Sequence, residues 1–297
     1  ECSVARGRRR GSPTMSDLKG KFYIIPYVAG SESVELLCEK LGILATKIDG
    51  KSKAIDNPNG KLFMYWGKPP SKVVDQISNV SYHKRVTVRR VNDHSNIHYA
   101  VNKRDFFNMI SSKPYCLENT TDPALAYSWV ADDECRVIAR STVTGMGGEG
   151  IKVIRSVQDW KDMGEYHFFT KYVPKRAEYR IHVFDNKVVA CSRRVMRSGE
   201  QPKDLGWEVR SHDNGFIFQL EDLANVPKEC IDAAVDATNT CGLLVAGADV
   251  LWNERNKKAY VCELNSAPGI EGSAVEAYAK AIRSYLYTNY KLGTKVE

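Results

Sequence analysis

No stretch of this sequence approaches the roughly 18 consecutive apolar residues that a membrane-spanning helix needs. Its longest apolar run, Leu243 to Val250, is interrupted by Gly247 and Asp249. The eight cysteines are scattered, with no CxxC pair and no histidine at zinc spacing. That excludes a zinc module and argues against a disulfide framework, so free thiols in a reducing, cytoplasmic setting are the expectation. There is no GK[ST] phosphate loop, no Rossmann glycine spacing, and no arrangement of Ser, His and Asp or of Cys and His that would mark a covalent nucleophile. Low-complexity segments and internal repeats are also missing. What remains is ordinary for a water-soluble protein with a substantial core: 297 residues, 43% hydrophobic and 27% charged. The formal net charge is +7. Residues 1–14 hold four arginines against one glutamate and no apolar periodicity, so they are read as a disordered tail ahead of a natural start at Met15. The +4 left for the rest of the chain suits phosphates or an acidic substrate and does not argue for nucleic acid.

The chain reads as alternating strands and helices. KFYIIPYV (21–28) is a buried strand, followed by a helix with Val34, Leu37, Cys38 and Leu41 on one face, a stop at Gly42, and ILATKI (43–48) as a returning strand. LFMYWG adds a strand that turns at Gly67, so residues 15–98 form a small α/β domain. Asn102 opens a helix that turns Phe106, Phe107 and Ile110 inward, and Pro123 opens another. VIARS leads as a strand into TGMGGEG, and residues 165–195 supply two or three strands with an Asp-Asn turn at 185 and 186. A helix from about Lys228 to Cys241 buries Ile231, Ala234, Val235 and Thr238. A hairpin pairs VAGADVLWNE with AYVCELN, and a last helix buries Val275, Tyr278, Ala279 and Ile282.

Chemistry concentrates in that hairpin. Glu263 and Asn265 are two residues apart on one strand and project to the same side, and Asp249 on the paired strand joins them. Three oxygen-bearing side chains on a rigid sheet make a hard-cation site of the magnesium type, with manganese as a substitute. SAPGIEG follows at once: Pro268 and Gly269 force a turn, and Gly272 leads into a helix whose first amides can meet an anion. The second constellation is TGMGGEG, where Gly145, Gly147 and Gly148 let backbone amides close over phosphates, with the cation Arg140 just upstream. At KYVPK, Lys171, Tyr172 and Val173 end a strand in a turn that offers backbone groups to an adenine edge. Arg180, Arg193, Arg194 and Arg210 are spread over the sheet that carries the metal site, where inward-facing guanidiniums would bind phosphate in bidentate fashion.

This order of features resembles the ATP-grasp superfamily, and within it the branch of the bacterial ribosomal-protein glutamate ligases. GADVL…ELNSAPGIEG matches that branch's aspartate strand, E-x-N pair and Pro-Gly-x-x-Gly turn; CSRRV is similar to its double-arginine strand, and VRSH to its Arg-Ser-Asn step with His212 in place of asparagine. The resemblance implies two α+β lobes that hold ATP, at 99–171 and 172–297, behind the N-terminal α/β domain. It implies that Lys103 is a nucleotide lysine, that Lys171 and the Tyr172–Val173 backbone hold adenine, and that Arg140 stands where a second nucleotide lysine is usual. The implied activity is ATP-dependent ligation of a carboxylate to an amine, on an amino acid, peptide or protein, through an acyl-phosphate. ADP and phosphate are released, and Arg193 or Arg210 stabilises the tetrahedral intermediate. A phosphotransferase on the same fold and a non-catalytic polyanion-binding protein remain as alternatives, and a homo-oligomer is left open.

Overall fold

The computed structural model describes residues 17–49, 52–132, 135–144 and 148–293. The proposed tail at 1–14, and Gly145 and Gly147 of the glycine-rich loop, lie outside the described residues.

The first unit is a three-stranded parallel sheet in the order β1-β2-β3, from β1 (Phe22–Pro26), β2 (Leu62–Trp66) and β3 (Arg89–Val91). Helix α1 (Glu32–Leu41) buries Val34, Leu37, Cys38 and Leu41 and ends at Gly42, whose φ of 69° is the left-handed conformation that glycine tolerates. Short α2 (Lys53–Asp56) and α3 (Ser71–Lys84) complete the unit. ILATKI is not a strand. Ile43 and Ile48 are buried, but Leu44 is 74% exposed and the segment pairs with nothing in the sheet; β2, later in the chain, is the strand that returns beside β1.

Helices α4 (His94–Val101) and α5 (Lys103–Met109) lead out of this unit. Asn102 caps α5, its Oδ1 accepting from the N–H groups of Arg104 and Asp105, and this turns Phe106, Phe107 and Ile110 into the core. The second sheet is antiparallel, in the order β4-β7-β5-β6, from β4 (Asn119–Thr120), β5 (Val137–Arg140), β6 (Ile151–Ile154) and β7 (Phe168–Lys171). Helices α6 (Pro123–Ala131) and α7 (Val157–Lys161) cover it, and Ala126, Trp129, Val130, Val137, Ala139, Ile154 and Phe169 give this lobe a small core of its own.

The third sheet is also antiparallel, in the order β10-β9-β8-β11-β12: β8 (Ala177–Phe184), β9 (Lys187–Met196), β10 (Phe216–Leu220), β11 (Val245–Asn253) and β12 (Lys258–Asn265). Asp185 and Asn186 turn β8 into β9 with positive φ at both positions, as a two-residue hairpin requires. Helix α8 (Lys228–Thr240) packs on one face. Its fully buried stripe is Cys230, Ala233, Ala234, Ala237 and Thr238; Ile231 and Val235 sit half-buried beside it, so the inward face is rotated from the expected one. The last helix, α9 (Ser273–Tyr290), buries Val275, Tyr278, Ala279 and Ile282. It does so partly against the first unit: Tyr278 meets Trp66 edge-on at 5.3 Å, and Arg283 donates to the carbonyl of Lys40 at 2.6 Å. The first and third units therefore share cores, and the middle lobe joins the larger of them through Phe168 of β7, whose ring lies 5.4 Å from that of Phe107, while keeping its own small core as well.

Candidate active site

The sheet register assembles one row of charge. Asp249 on β11 stands opposite Arg180 on β8 and opposite Glu263 on β12. The β11–β12 register shifts between Asp249 and Val250, making Cys262 an extra residue; this bulge bends the strand beside the site. Arg180 forks onto Asp249, with Nε 2.6 Å from Oδ1 and Nη2 2.7 Å from Oδ2, and lies 3.8 Å from Glu263. Lys103 Nζ, delivered by the start of α5, is 3.0 Å from Glu263 Oε2. Asn265 donates its amide to Glu263 Oε1 at 3.2 Å. Burial opposes ionisation of Glu263, but Lys103 and Arg180 outweigh it and bring its pKa down to about 2. Burial pushes Asp249 up to about 6 against the pull of Arg180, and the fork keeps it ionised near neutral pH.

These residues fit a hard cation. Two ionised carboxylates and an amide side chain share one sheet face, which is an oxygen donor set of the magnesium type. No group of three or more His, Cys, Asp or Glu gathers as a denser metal cluster among the described residues. Asp249, Glu263 and Asn265 would hold the ion, and Lys103 and Arg180 balance the carboxylates.

A cleft of about 920 Å³ runs from this row between the second and third sheets. It brings together Lys103, Arg140, Gly148, Lys171, Tyr172, Val173, Arg210, Asp249 and Glu263, all expected from the sequence. Arg140 is 8% exposed; one Nη donates to Thr170 Oγ1 at 3.1 Å. The Nε atoms of Arg140, Arg194 and Arg210 are buried without a hydrogen-bond partner among the described residues. Buried guanidinium donors of this kind call for an anion, and three of them around one cleft suit a polyphosphate. At the hinge, Tyr172 already donates its N–H to the carbonyl of Arg136 at 2.8 Å, so that N–H is taken. The Lys171 ammonium lies 3.1 Å from Glu118 and over the Trp129 ring.

Two expected placements differ. Arg193 pairs with Tyr179 across β8–β9 and does not line the cleft, whereas its neighbour Arg194 does, because adjacent strand residues face opposite sides. Arg180, expected at the nucleotide, is committed to Asp249 and lines a second cleft instead. The structure also adds residues that the sequence reading passed over. Glu178, 7% exposed, lies in this first cleft 3.1 Å from Lys175; the available signal was a carboxylate two positions before Arg180 on the same strand face. Glu208, between β9 and β10, takes Arg155 at 3.0 Å and Arg136 at 3.2 Å from the middle lobe, joining the two lobes beside the cleft.

The second cleft, of about 1290 Å³, lies on the other side of Arg180. It is closed by the turn after β12. Gly67 and Gly247 let that turn approach: a Cβ on Gly67 would fall 2.7 Å from the Cβ of Ala267, and one on Gly247 2.9 Å from that of Pro268. Ile270 N–H donates to Ser33 Oγ at 3.1 Å, tying the turn to the start of α1.

The RimK-like ATP-grasp domain family matches residues 162–284. A probable alpha-L-glutamate ligase of Saccharophagus degradans (strain 2-40) is 36% identical over 96 residues, which is 32% of this chain and 28% of that protein. A protein of the same description from Vibrio parahaemolyticus is 34% identical over 98 residues, 33% and 29% of the two chains. The matched segment thus spans under a third of the curated relatives. Among solved structures, the ATP-grasp ligase PsnB with a phosphomimetic variant of its minimal precursor, Mg and ADP superposes with TM-score 0.60 at 12% identity, over 88% of this chain and 98% of that one. D-alanine–D-alanine ligase from Bacillus anthracis superposes with TM-score 0.56 at 11% identity, over 90% and 93%. At these identities the likeness establishes the fold.

Proposed function

We propose that this chain, which has the ATP-grasp fold and matches the RimK-like ATP-grasp domain family over residues 162–284, is an ATP-dependent carboxylate–amine ligase. The observation that carries the proposal is the row Arg180–Asp249–Glu263, with Lys103 on Glu263, at one end of a cleft that holds three guanidinium Nε donors without a hydrogen bond among the described residues, that of Arg194 lying 3.9 Å from Glu178. Arg140, Arg194 and Arg210 meet the phosphates, Lys103 fixes their position relative to Glu263, and Glu178 offers a carboxylate to the hydroxyls of a ribose. Bound magnesium supplies neutralisation of phosphate charge.

The reaction proceeds in two balanced steps. A carboxylate oxygen attacks the γ-phosphorus and the bond to the β-phosphate oxygen breaks, giving an acyl-phosphate and ADP. An amine nitrogen then attacks the acyl carbon, phosphate leaves, and the amine proton passes to solvent or a nearby base. Arg210 stabilises the developing oxyanion; Arg194, on the cleft side of the double-arginine strand, takes the place of Arg193 in this role. His182 is not the base: burial and Arg180 push its pKa down to about 3, and its Nδ1 contacts the Tyr278 hydroxyl. Closing the middle lobe on the third sheet excludes water that would hydrolyse the intermediate.

The test is a screen of amino acids and short peptides for amine-dependent ADP release. A ligase releases free phosphate in step with ADP and only when an amine is consumed. A phosphotransferase leaves the phosphate on its product, and that result would replace this reading.

A further inference from the structure

The second cleft has a charge pattern that bears on which amine the protein uses. Its walls come from three places: the start of α1 (Glu32, Ser33), the third sheet (Arg180, His182, Ser192, Phe218, Leu220) and the turn into α9 (residues 269–274). Arg180 separates it from the nucleotide cleft and touches both carboxylates of the metal row. A molecule bound here therefore lies beside the site where phosphate is transferred. Among the described residues that line it, Arg180 is the only cationic side chain, and its guanidinium is already forked onto Asp249 with Glu263 nearby; Arg194, which lines the first cleft, reaches the Phe218 ring at 3.6 Å. His182 is held neutral. Glu32 and Glu271, by contrast, are exposed at the rim, and neither has an ion-pair partner among the described residues.

Two helix starts also reach the cleft, α1 at Glu32 and α9 at Ser273. Each carries about half a positive charge in its unpaired amides, together no more than about one unit against two full carboxylates. The balance is therefore negative, with amide donors available for one carboxylate group of a ligand. Leu220 and Ile270 supply apolar wall for an aliphatic stem.

Resting on the ligase reading above, we propose that this cleft receives the amine substrate and that Glu32 and Glu271 select a cationic amine, such as a dibasic amino acid, over an acidic one. Glutamate would bring its second carboxylate to the two carboxylates at the rim, and Arg180, the cation among the described lining residues, is already forked onto Asp249. A lysine-like chain would lay its methylenes along Leu220 and Ile270 and bring its far ammonium to the rim. Selection thus combines attraction for one class with repulsion of the other.

The experiment is calorimetric titration of L-lysine, L-alanine and L-glutamate into the full chain with magnesium and a non-hydrolysable ATP analogue, at low and at physiological salt. The same amines are run in parallel in the ADP-release assay. Lysine should bind at least tenfold more tightly than glutamate, and the ratio should shrink with added salt. Glu271→Lys should shift the lysine-to-glutamate ratio at least tenfold toward glutamate, and Glu32→Gln should shift it in the same direction by less; both positions are exposed, so both variants should fold. Tighter binding of glutamate, absence of binding by all three, or a ratio unchanged by Glu271→Lys would overturn the charge selection. In each of those cases, ADP release with any amine would leave the ligase reading standing. Binding of lysine without ADP release for any amine would overturn the ligase reading and this assignment with it.

Discussion

Replacing Asp249 by asparagine should destabilise the protein severely without disturbing its backbone. The carboxylate is 5% exposed, the Arg180 side chain 14%, and two hydrogen bonds of 2.6 and 2.7 Å join them. Removing one member of a buried pair costs about 3–5 kcal/mol, because the other charge is left desolvated and unpaired. Glu263 lies 3.8 Å from Arg180 and still compensates it in part, which places the expected loss near the lower end, about 3 kcal/mol. With a urea m-value of about 3 kcal/mol/M, the unfolding midpoint followed by circular dichroism should fall by about 1 M. The double variant Arg180→Met with Asp249→Asn removes both charges and keeps much of the volume. It should recover most of the loss, giving a coupling energy of at least about 2 kcal/mol. An Asp249→Asn variant within about 1 kcal/mol of the wild type, or a double variant whose loss equals the sum of the singles, would refute the claim that these two side chains form one buried unit.

Phe218 is held between two guanidiniums, Arg194 at 3.6 Å and Arg180 at 4.2 Å from its ring centre. Two such contacts at about 0.5–2 kcal/mol each lead us to expect a roughly tenfold or greater fall in kcat/KM for ATP in Phe218→Leu and recovery in Phe218→Trp; equal activity in both would remove the ring from the account. Glu208 joins the lobes, so Glu208→Gln should open the cleft, read as faster proteolysis of the middle lobe with nucleotide bound; an unchanged digestion rate would show that the lobes are joined some other way. Burial raises the Glu208 pKa, but Arg155 and Arg136 bring it net below its ordinary value of 4.5. The contact is therefore intact above about pH 4.5 and is lost as pH falls through the lowered value, which should appear as an acid-side rise in the same digestion that Glu208→Gln abolishes.

Much of the site could be read from local sequence because local rules govern it. Glu263 and Asn265 share a face by strand alternation, Asp249 joins them through a short hairpin, and Asn102 announces the helix that delivers Lys103. The misreadings arose where partners are distant. ILATKI has strand-like residues, but the neighbour of β1 is chosen by packing, and β2 occupies that place. Arg193 and Arg194 are adjacent, and only the register with β8 decides which one faces the cleft. Arg180 is read as a phosphate ligand until its 69-residue jump to Asp249 is seen. Glu208 has no motif of its own and acquires meaning from Arg155 of the middle lobe, whereas Glu178 pairs locally with Lys175 and is marked only by its burial in the cleft. The return of α9 to the first unit is likewise invisible in a helix whose apolar stripe matches any partner of the right shape.

The central claim is that a carboxylate is activated by phosphorylation before an amine attacks it. The direct measurement uses a carboxylate that supports amine-dependent ADP release, labelled with oxygen-18 in both oxygens, followed by mass analysis of the released phosphate. An acyl-phosphate pathway predicts one labelled oxygen per phosphate and an amide that retains the other. Unlabelled phosphate, formed at the same rate as ADP, would mean that water or another acceptor takes the phosphoryl group and would contradict the mechanism.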